Sequence, residues 1–158
     1  MNQAVELAAY LHREIPLTRA MQVGVVRAGG SEVVLAAPLA PNVNHRRTVF
    51  GGSAASLATL ACWGLLHTRL RQADIDARLV VQRSTMEYLA PIAGDFEAAC
   101  RFADDDSWGR LLAAYERRGR ARLSLRSTLR IAAGSRSHTG GETMARFDGD
   151  FVVVADRD

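Results

Sequence analysis

The sequence predicts one α+β domain over residues 1–158, in which a curved antiparallel sheet wraps around a long central helix. Three observations favour this class. Segment 51–71 has helical length and almost no polar face, so other structure must surround it. Runs with alternating apolar residues, typical of strands, precede and follow it. With 48% hydrophobic and 23% charged residues, a chain of 158 residues can bury one sizeable core.

The region before the central helix predicts a short helix and a hairpin. Residues 5–14 place four apolar side chains on one helical face: Val5, Leu7, Ala8 and Leu11. Pro16 is expected to end this helix. Alternating apolar residues from Leu17 and again over 31–39 predict two strands, and Gly29-Gly30 is expected to form the turn between them.

The region after the central helix predicts four strands and a second short helix. The strands are expected at 78–89, 95–103, 120–131 and 143–154. The helix is expected at 108–118, since three aspartates precede it and Gly119 follows it. A Gly- and Ser-rich loop is expected over 133–141.

Composition excludes several function classes. The formal net charge is only +3, and the 20 Lys and Arg residues are all Arg. Because these arginines are scattered along the chain, nucleic acid is not an expected partner. No apolar run is long enough to span a membrane, and no signal peptide is expected at the start. Cys62 and Cys100 lie in apolar segments without metal-ligand spacing. These features favour a cytoplasmic protein without a bound metal.

The candidate site is the polar loop from Asn44 to Phe50 together with Gly51 and Gly52, which begin the apolar helix. Backbone N–H groups in a first helical turn lack intrahelical partners, and the helix dipole favours negative charge there. Two glycines let a ligand approach those amides closely. The pattern predicts an oxyanion or enolate site with the backbone amides of Gly51 and Gly52 as catalytic donors.

Other residues around this loop are candidates for substrate binding. Ser53, Ser56 and Thr59 recur every three residues and either line the site or pack against a second subunit. Arg46 and Arg47 either bind phosphates or are simply solvated.

Several of these residues together resemble a known superfamily. The marks are Asn44, Thr48, the run Phe50-Gly51-Gly52-Ser53, Trp63-Gly64 and the strand end Tyr88-Leu89-Ala90-Pro91. They resemble hot-dog fold acyl-thioester enzymes, above all the thioesterase-like domains of YiiD C-terminal type. This resemblance implies the hot-dog fold, a pantetheine thioester as substrate with no cofactor, and a homodimer or higher oligomer. It also implies that the side-chain amide of Asn44 is a catalytic donor beside the glycine amides, and that Phe50 and Tyr88 contact the substrate. On this resemblance the site lined by Ser53, Ser56 and Thr59 would be an acyl pocket, and the phosphates bound by Arg46 and Arg47 would be those of coenzyme A or of a phosphopantetheine arm.

Two departures from the PaaI-type thioesterases decide the expected reaction. Phe50 stands where those enzymes carry His, and Thr59 stands where they carry a catalytic acid. Hydrolysis needs an activated water, whereas decarboxylation of a malonyl thioester needs only stabilisation of the enolate. Because the YiiD C-terminal type includes malonyl-acyl carrier protein decarboxylases of fatty-acid synthesis, the resemblance favours decarboxylation of malonyl-acyl carrier protein or malonyl-coenzyme A.

Two alternatives remain open at this stage. One is a thioesterase in which His45, Glu87 or a residue of a second subunit activates water. The other is a non-catalytic module that binds acyl carrier protein and has lost the acid.

Overall fold

One six-stranded antiparallel sheet curves around a 22-residue helix in the computed structural model, which describes residues 2–135 and 141–156. The sheet order is β1-β2-β4-β5-β6-β3. The predicted fold class is confirmed. The helices are α1 Gln3–Glu14, α2 Pro16–Ala20, α3 Gly51–Gln72 and α4 Ser107–Arg118. The strands are β1 Gly24–Ala28, β2 Glu32–Ala37, β3 Ala77–Tyr88, β4 Phe96–Arg101, β5 Arg120–Ile131 and β6 Ala145–Ala155.

Helix α3 is the centre of the core, as its apolar sequence predicts. Its buried residues lie on every side of the helix because the sheet covers one side and α1 covers part of another. Gly64 marks the closest approach of α1, since a Cβ there would lie 3.2 Å from a methyl group of Leu7. The largest buried side chains of the sheet facing α3 are Phe96, Phe147, Phe151, Leu35, Leu129 and Val153.

The strand predicted from Leu17 is wrong in its first part, where the chain forms α2. Pro16 begins that helix instead of only ending α1, because its fixed φ suits a first helical turn and its missing N–H is not needed there. The hydroxyl of Thr18 donates to the Ile15 carbonyl and closes the turn at 2.8 Å. The strand itself starts at Gly24.

The other elements lie where the sequence predicts them, with ends that differ by a few residues. Gly29 and Gly30 form the hairpin turn, in which the Gly29 N–H donates to the Glu32 carbonyl at 3.0 Å. The predicted loop over 133–141 lies partly outside the described residues. Strand β3 pairs only with β6 and forms one edge of the sheet, with a bulge between Val81 and Arg83. Within the described residues, no helix is long and apolar enough to cross a membrane.

Candidate active site at the start of the central helix

The loop that leads into α3 is closed by Asn44. Its ends meet in a bridge between Val43 and Val49, and the Asn44 N–H donates to the Thr48 carbonyl at 2.8 Å. The side-chain oxygen of Asn44 accepts from the N–H groups of Arg46 at 2.8 Å and Thr48 at 3.1 Å. These contacts are the local turn bonds that asparagine favours, and they fix the loop in one conformation.

The side-chain amide of Asn44 is also engaged inside the loop. Its nitrogen donates to the Thr48 hydroxyl at 2.9 Å and to the Val49 carbonyl at 3.4 Å. Because Thr48 accepts this bond, its own hydroxyl hydrogen is left to donate elsewhere, and no acceptor for it is present among the described residues. In the sequence, only the family resemblance points to Thr48. The structure adds its hydroxyl to the candidate donors.

The first turn of α3 presents free backbone amides. Phe50 precedes the helix, and its N–H donates to the Asn42 carbonyl at 2.8 Å. No side chain caps the helix, and no acceptor in the described part of the chain takes the N–H groups of residues 51–53. The amide pair of Gly51 and Gly52 is therefore available to a ligand at the positive end of the longest helix.

Two aromatic rings flank these glycines. Phe50 is 57% exposed and Tyr88 is 56% exposed. A Cβ on Gly51 would lie 3.3 Å from the Tyr88 hydroxyl, and a Cβ on Gly52 would collide with the Phe50 ring. The Tyr88 hydroxyl donates to the Gly51 carbonyl at 3.0 Å. A side chain at either position would therefore have to displace one of the two rings.

Asn42 supports this arrangement, although no local sequence pattern points to it. It is 2% exposed, and its side-chain nitrogen donates to the carbonyls of Met21 at 2.9 Å and Pro38 at 2.8 Å. Its side-chain oxygen is buried and has no partner in the described residues. Through its backbone carbonyl, Asn42 also holds Phe50, so it connects the end of β2 to the start of α3.

The small polar residues predicted to line the site follow one another along α3. The Ser56 hydroxyl donates to the Gly52 carbonyl and the Thr59 hydroxyl to the Ala55 carbonyl, each at 2.8 Å. These hydroxyl hydrogens are therefore satisfied by the helix itself. Ser53, Ser56 and Thr59 are half-buried, and of the three Ser53 is nearest in the chain to the free amides.

The tip of the loop carries three consecutive basic residues. His45, Arg46 and Arg47 are exposed, and neither arginine has an ion-pair partner within residues 2–135 and 141–156. Arg47 has φ 64°, a left-handed conformation that is uncommon outside glycine and asparagine. The predicted phosphate ligands Arg46 and Arg47 thus lie one short loop away from the amide pair, with free guanidinium groups.

Glu87 lies on the other side of the sheet from the helix start. Its neighbour Tyr88 contacts Gly51, and successive side chains of a strand point to opposite faces. Glu87 is instead 3.8 Å from the Arg146 guanidinium across the β3–β6 pair.

The alternating arginines of β5 lie on the same outer side of the sheet. Arg122 is paired with Asp150 at 2.8 Å and Arg126 with Asp148 at 2.9 Å. Part of the positive charge of this face is therefore neutralised by β6.

Two cavities of the described residues lie elsewhere. One, of about 1020 Å³, is a groove across the outer face of the sheet between Glu32 and Arg83. The other, of about 610 Å³, lies between α1 and α3 beside Tyr10 and His67. Neither cavity is lined by Asn44 or the glycine pair, so these two cavities do not indicate the candidate active site. The start of α3 is an open surface of the single chain.

Perturbed titratable groups also lie away from the helix start. Burial, with a smaller contribution from the Arg71 charge, lowers the pKa of His67 to about 4. A hydrogen bond with Cys62, together with burial, raises the pKa of Cys100. Both cysteines are buried and free, and the described residues contain no cluster of three or more acidic, His or Cys side chains suited to a metal ion.

Comparison with solved structures shows the same architecture. A protein of unknown function from Chlorobaculum tepidum TLS is 27% identical with a TM-score of 0.88, over 97% of this chain and 94% of that one. A protein from Shewanella oneidensis, described as a putative thioesterase, is 28% identical with a TM-score of 0.81, over 96% and 97%. A mutant of the phenylacetic acid degradation protein PaaI from Thermus thermophilus is 21% identical with a TM-score of 0.61, over 88% and 98%, which is a likeness of fold alone.

The sequence itself matches a family model described as "Putative thioesterase (yiiD_Cterm)" over residues 4–155, which is nearly the whole chain. The matched region includes the Asn44 loop, the glycine pair and Tyr88. Because the chain matches this family model over nearly its whole length and has the hot-dog fold, it belongs to the YiiD C-terminal thioesterase family.

Proposed function

We propose that this protein decarboxylates a malonyl thioester to the acetyl thioester. The observation that carries the proposal is the pair of free amides at Gly51 and Gly52, with the hydroxyl of Thr48, three residues before Gly51 in the chain, as a third donor. All three are hydrogen-bond donors, and the described residues bring no carboxylate or imidazole into contact with them. Such a site stabilises developing negative charge without supplying a base.

The chemistry follows from these donors. The bond between the malonyl carboxylate and the methylene carbon breaks, carbon dioxide leaves, and the electron pair moves onto the thioester oxygen as an enolate. The enolate carbon then takes a proton from water and becomes the acetyl methyl group. One well-placed donor to such an oxygen is worth about 3–4 kcal/mol, so two or three donors lower the barrier substantially.

Hydrolysis is the second candidate, favoured by the family description. It requires a group that activates water. Glu87 faces away from the helix start, and Thr59 donates its hydroxyl hydrogen to the Ala55 carbonyl. In this chain the base would therefore come from His45 at the exposed tip of the loop or from a second subunit.

The substrate is proposed to be carried on acyl carrier protein or coenzyme A. Both end in a phosphopantetheine arm, and Arg46 and Arg47 offer free guanidinium groups at the rim of the site. No bound cofactor is needed for this reaction, because the thioester itself holds the electrons released by decarboxylation. Free, buried Cys62 and Cys100 support a reducing compartment, the cytoplasm, as the place of action.

A homodimer is proposed to complete the site. Four exposed apolar side chains surround the start of α3, and we call them the entrance patch: Val43, Phe50, Tyr88 and Leu89. Val80 and Val81 extend apolar surface along the open edge of β3. A second copy of the chain that covers this surface would turn the open helix start into a cleft.

The test is to incubate the protein with malonyl-coenzyme A and with malonyl-acyl carrier protein. We expect carbon dioxide and acetyl thioester in equal amounts, measured by gas release and mass spectrometry, with no free thiol. Thiol release without carbon dioxide would establish hydrolysis instead, and neither product would indicate a binding module.

An Asn44→Ala variant tests the loop in the same assay, and we expect most of the turnover to be lost. Asn2→Ala is the matched control. The side chain of Asn2 also accepts a hydrogen bond from a backbone N–H, that of Ala4 at 2.9 Å, but it caps α1 and not the loop before α3. Full turnover by Asn44→Ala would remove Asn44 from the mechanism.

A further inference from the structure

We propose that Tyr88 is a positioning residue that strengthens the Gly52 N–H as a donor to the thioester oxygen. The inference rests on the proposed function and concerns the same site. Its basis is the hydrogen bond from the Tyr88 hydroxyl to the Gly51 carbonyl at 3.0 Å. That carbonyl and the Gly52 N–H are the two ends of one peptide unit, so a contact at one end acts on the other.

The peptide unit transmits the effect in two ways. Its C–N bond is planar through resonance, and a donor at the oxygen draws electron density from the nitrogen. Chains of hydrogen bonds polarise one another in this manner by about 10–30% per bond. The oxygen and the N–H of a trans peptide also point in opposite directions, so the hydroxyl on one side aims the N–H away from itself.

The site needs such a constraint because its backbone is permissive. Gly51 and Gly52 have no Cβ, and the N–H groups of a first helical turn have no partner four residues earlier. The Tyr88 hydroxyl fixes the orientation of the peptide plane between them. Gly51 in turn permits the contact, because a side chain there would lie within 3.3–3.4 Å of the Tyr88 ring and hydroxyl.

Tyr88 is held in place by the strand that carries it. It is the last residue of β3 and pairs with Ala145 of β6. The N–H groups of Leu89 and Ala90 then both donate to the Met144 carbonyl, at 2.9 and 3.1 Å. The chain is thus anchored on both sides of a side chain that is itself 56% exposed. A hydrogen bond from an exposed hydroxyl contributes little to the free energy of folding. Removing it can therefore change the site without changing the stability of the protein.

Tyr88→Phe tests the inference because it removes only the hydroxyl. We expect kcat for the malonyl thioester to fall about 3- to 10-fold, from the weaker and less ordered donor, with KM within about twofold. The urea unfolding midpoint is expected to stay unchanged. Tyr115→Phe on α4 is the matched control and is expected to behave as the wild type. If the bond only connected β3 to α3, its loss in Tyr88→Phe would instead lower the urea unfolding midpoint without a selective loss of kcat.

A spectroscopic measurement reads the hydrogen bond directly. The infrared stretch of ¹³C-carbonyl-labelled acetyl-coenzyme A bound to the protein reports donors at the thioester oxygen. We expect the carbonyl frequency to be lower in the wild-type complex than in free acetyl-coenzyme A, and this shift to be smaller in Tyr88→Phe. Equal kcat and equal frequency in the two proteins overturn the role of Tyr88.

The two proposals fail in distinguishable ways. A wild type that leaves malonyl thioesters intact but binds acetyl-coenzyme A overturns the proposed reaction, and the infrared shift still decides the role of Tyr88. A wild type that turns over neither malonyl thioester and binds no acetyl-coenzyme A overturns both.

Discussion

The side-chain amide of Asn44 donates to the hydroxyl of Thr48 at 2.9 Å, and this bond fixes which way the threonine hydrogen can point. Asn44 is held in turn by the N–H groups of Arg46 and Thr48 on its oxygen. Because the Asn44 side chain is bonded within its own loop, we expect it to act on the substrate through Thr48, whose hydroxyl hydrogen stays free to donate.

The Thr48 hydroxyl is expected to matter for turnover more than for folding. Thr48→Val keeps the shape of the side chain but removes the donor, and we expect kcat to fall about 100-fold, as for other donors to an oxyanion. Thr48→Ser keeps the hydroxyl and is expected to stay within about tenfold of the wild type. Steady-state carbon dioxide release measures both, and wild-type kcat in Thr48→Val would exclude the hydroxyl.

Gly52→Ala is expected to damage the site without unfolding the protein. The added methyl would collide with the Phe50 ring, which is exposed and free to swing aside. We expect kcat/KM to fall about tenfold, because the methyl and the displaced ring crowd the amide. Gly109→Ala is the control: nothing lies within 4 Å of its Cβ position on α4. It is expected to raise the free energy of unfolding by about 0.5–1 kcal/mol and to leave turnover unchanged.

The pH dependence of stability is expected to report His67. Its ring packs 4.3 Å from Tyr10 and 4.7 Å from Trp63 between ring centroids, and burial together with Arg71 lowers its pKa from 6.5 to about 4. Between these values the unfolded chain binds the proton and the folded chain does not, so stability falls as the pH falls from 6.5 towards 4. Above the unfolded pKa the histidine contributes no slope.

His67→Phe keeps an aromatic ring at that position and removes the titration. Urea midpoints measured between about pH 4 and pH 7 should fall less steeply in this variant than in the wild type. Identical slopes in the two proteins would show that His67 is protonated equally in both states.

The open edge of β3 is expected to carry the dimer. Val81 is 42% exposed there, and Val26 is 52% exposed on β1, the opposite edge of the sheet. We expect Val81→Lys to weaken self-association at least about tenfold and to lower turnover, because a buried unpaired charge is costly. Val26→Lys is expected to do neither. Sedimentation velocity over a range of concentrations measures the effect, and an unchanged profile for Val81→Lys would place the interface elsewhere.

The fold was largely predictable because its strongest signals are periodic. Apolar and polar residues alternate along β5, which indicates a strand, and the long apolar segment of α3 indicates a buried helix. Helix α2 was missed because Pro16 is compatible both with the end of one helix and with the first turn of the next. Only the packing of Thr18, which is fully buried, decides between them.

The site was predictable in its backbone but not in its side chains. A Gly-Gly pair at the start of a buried helix indicates free amides from sequence alone. The partners of Asn44 depend on how the loop closes between Val43 and Val49, and the role of Asn42 depends on Met21, which lies 21 residues earlier. No local pattern encodes contacts of that range.

The position of β6 has a consequence for how the chain folds during synthesis. It lies between β5 and β3, although β3 leaves the ribosome well before either of them. Until β6 emerges, β3 has no neighbour with which to pair, and that side of α3 stays uncovered. Nascent chains halted before residue 145 should therefore be good clients for chaperones that bind exposed apolar segments.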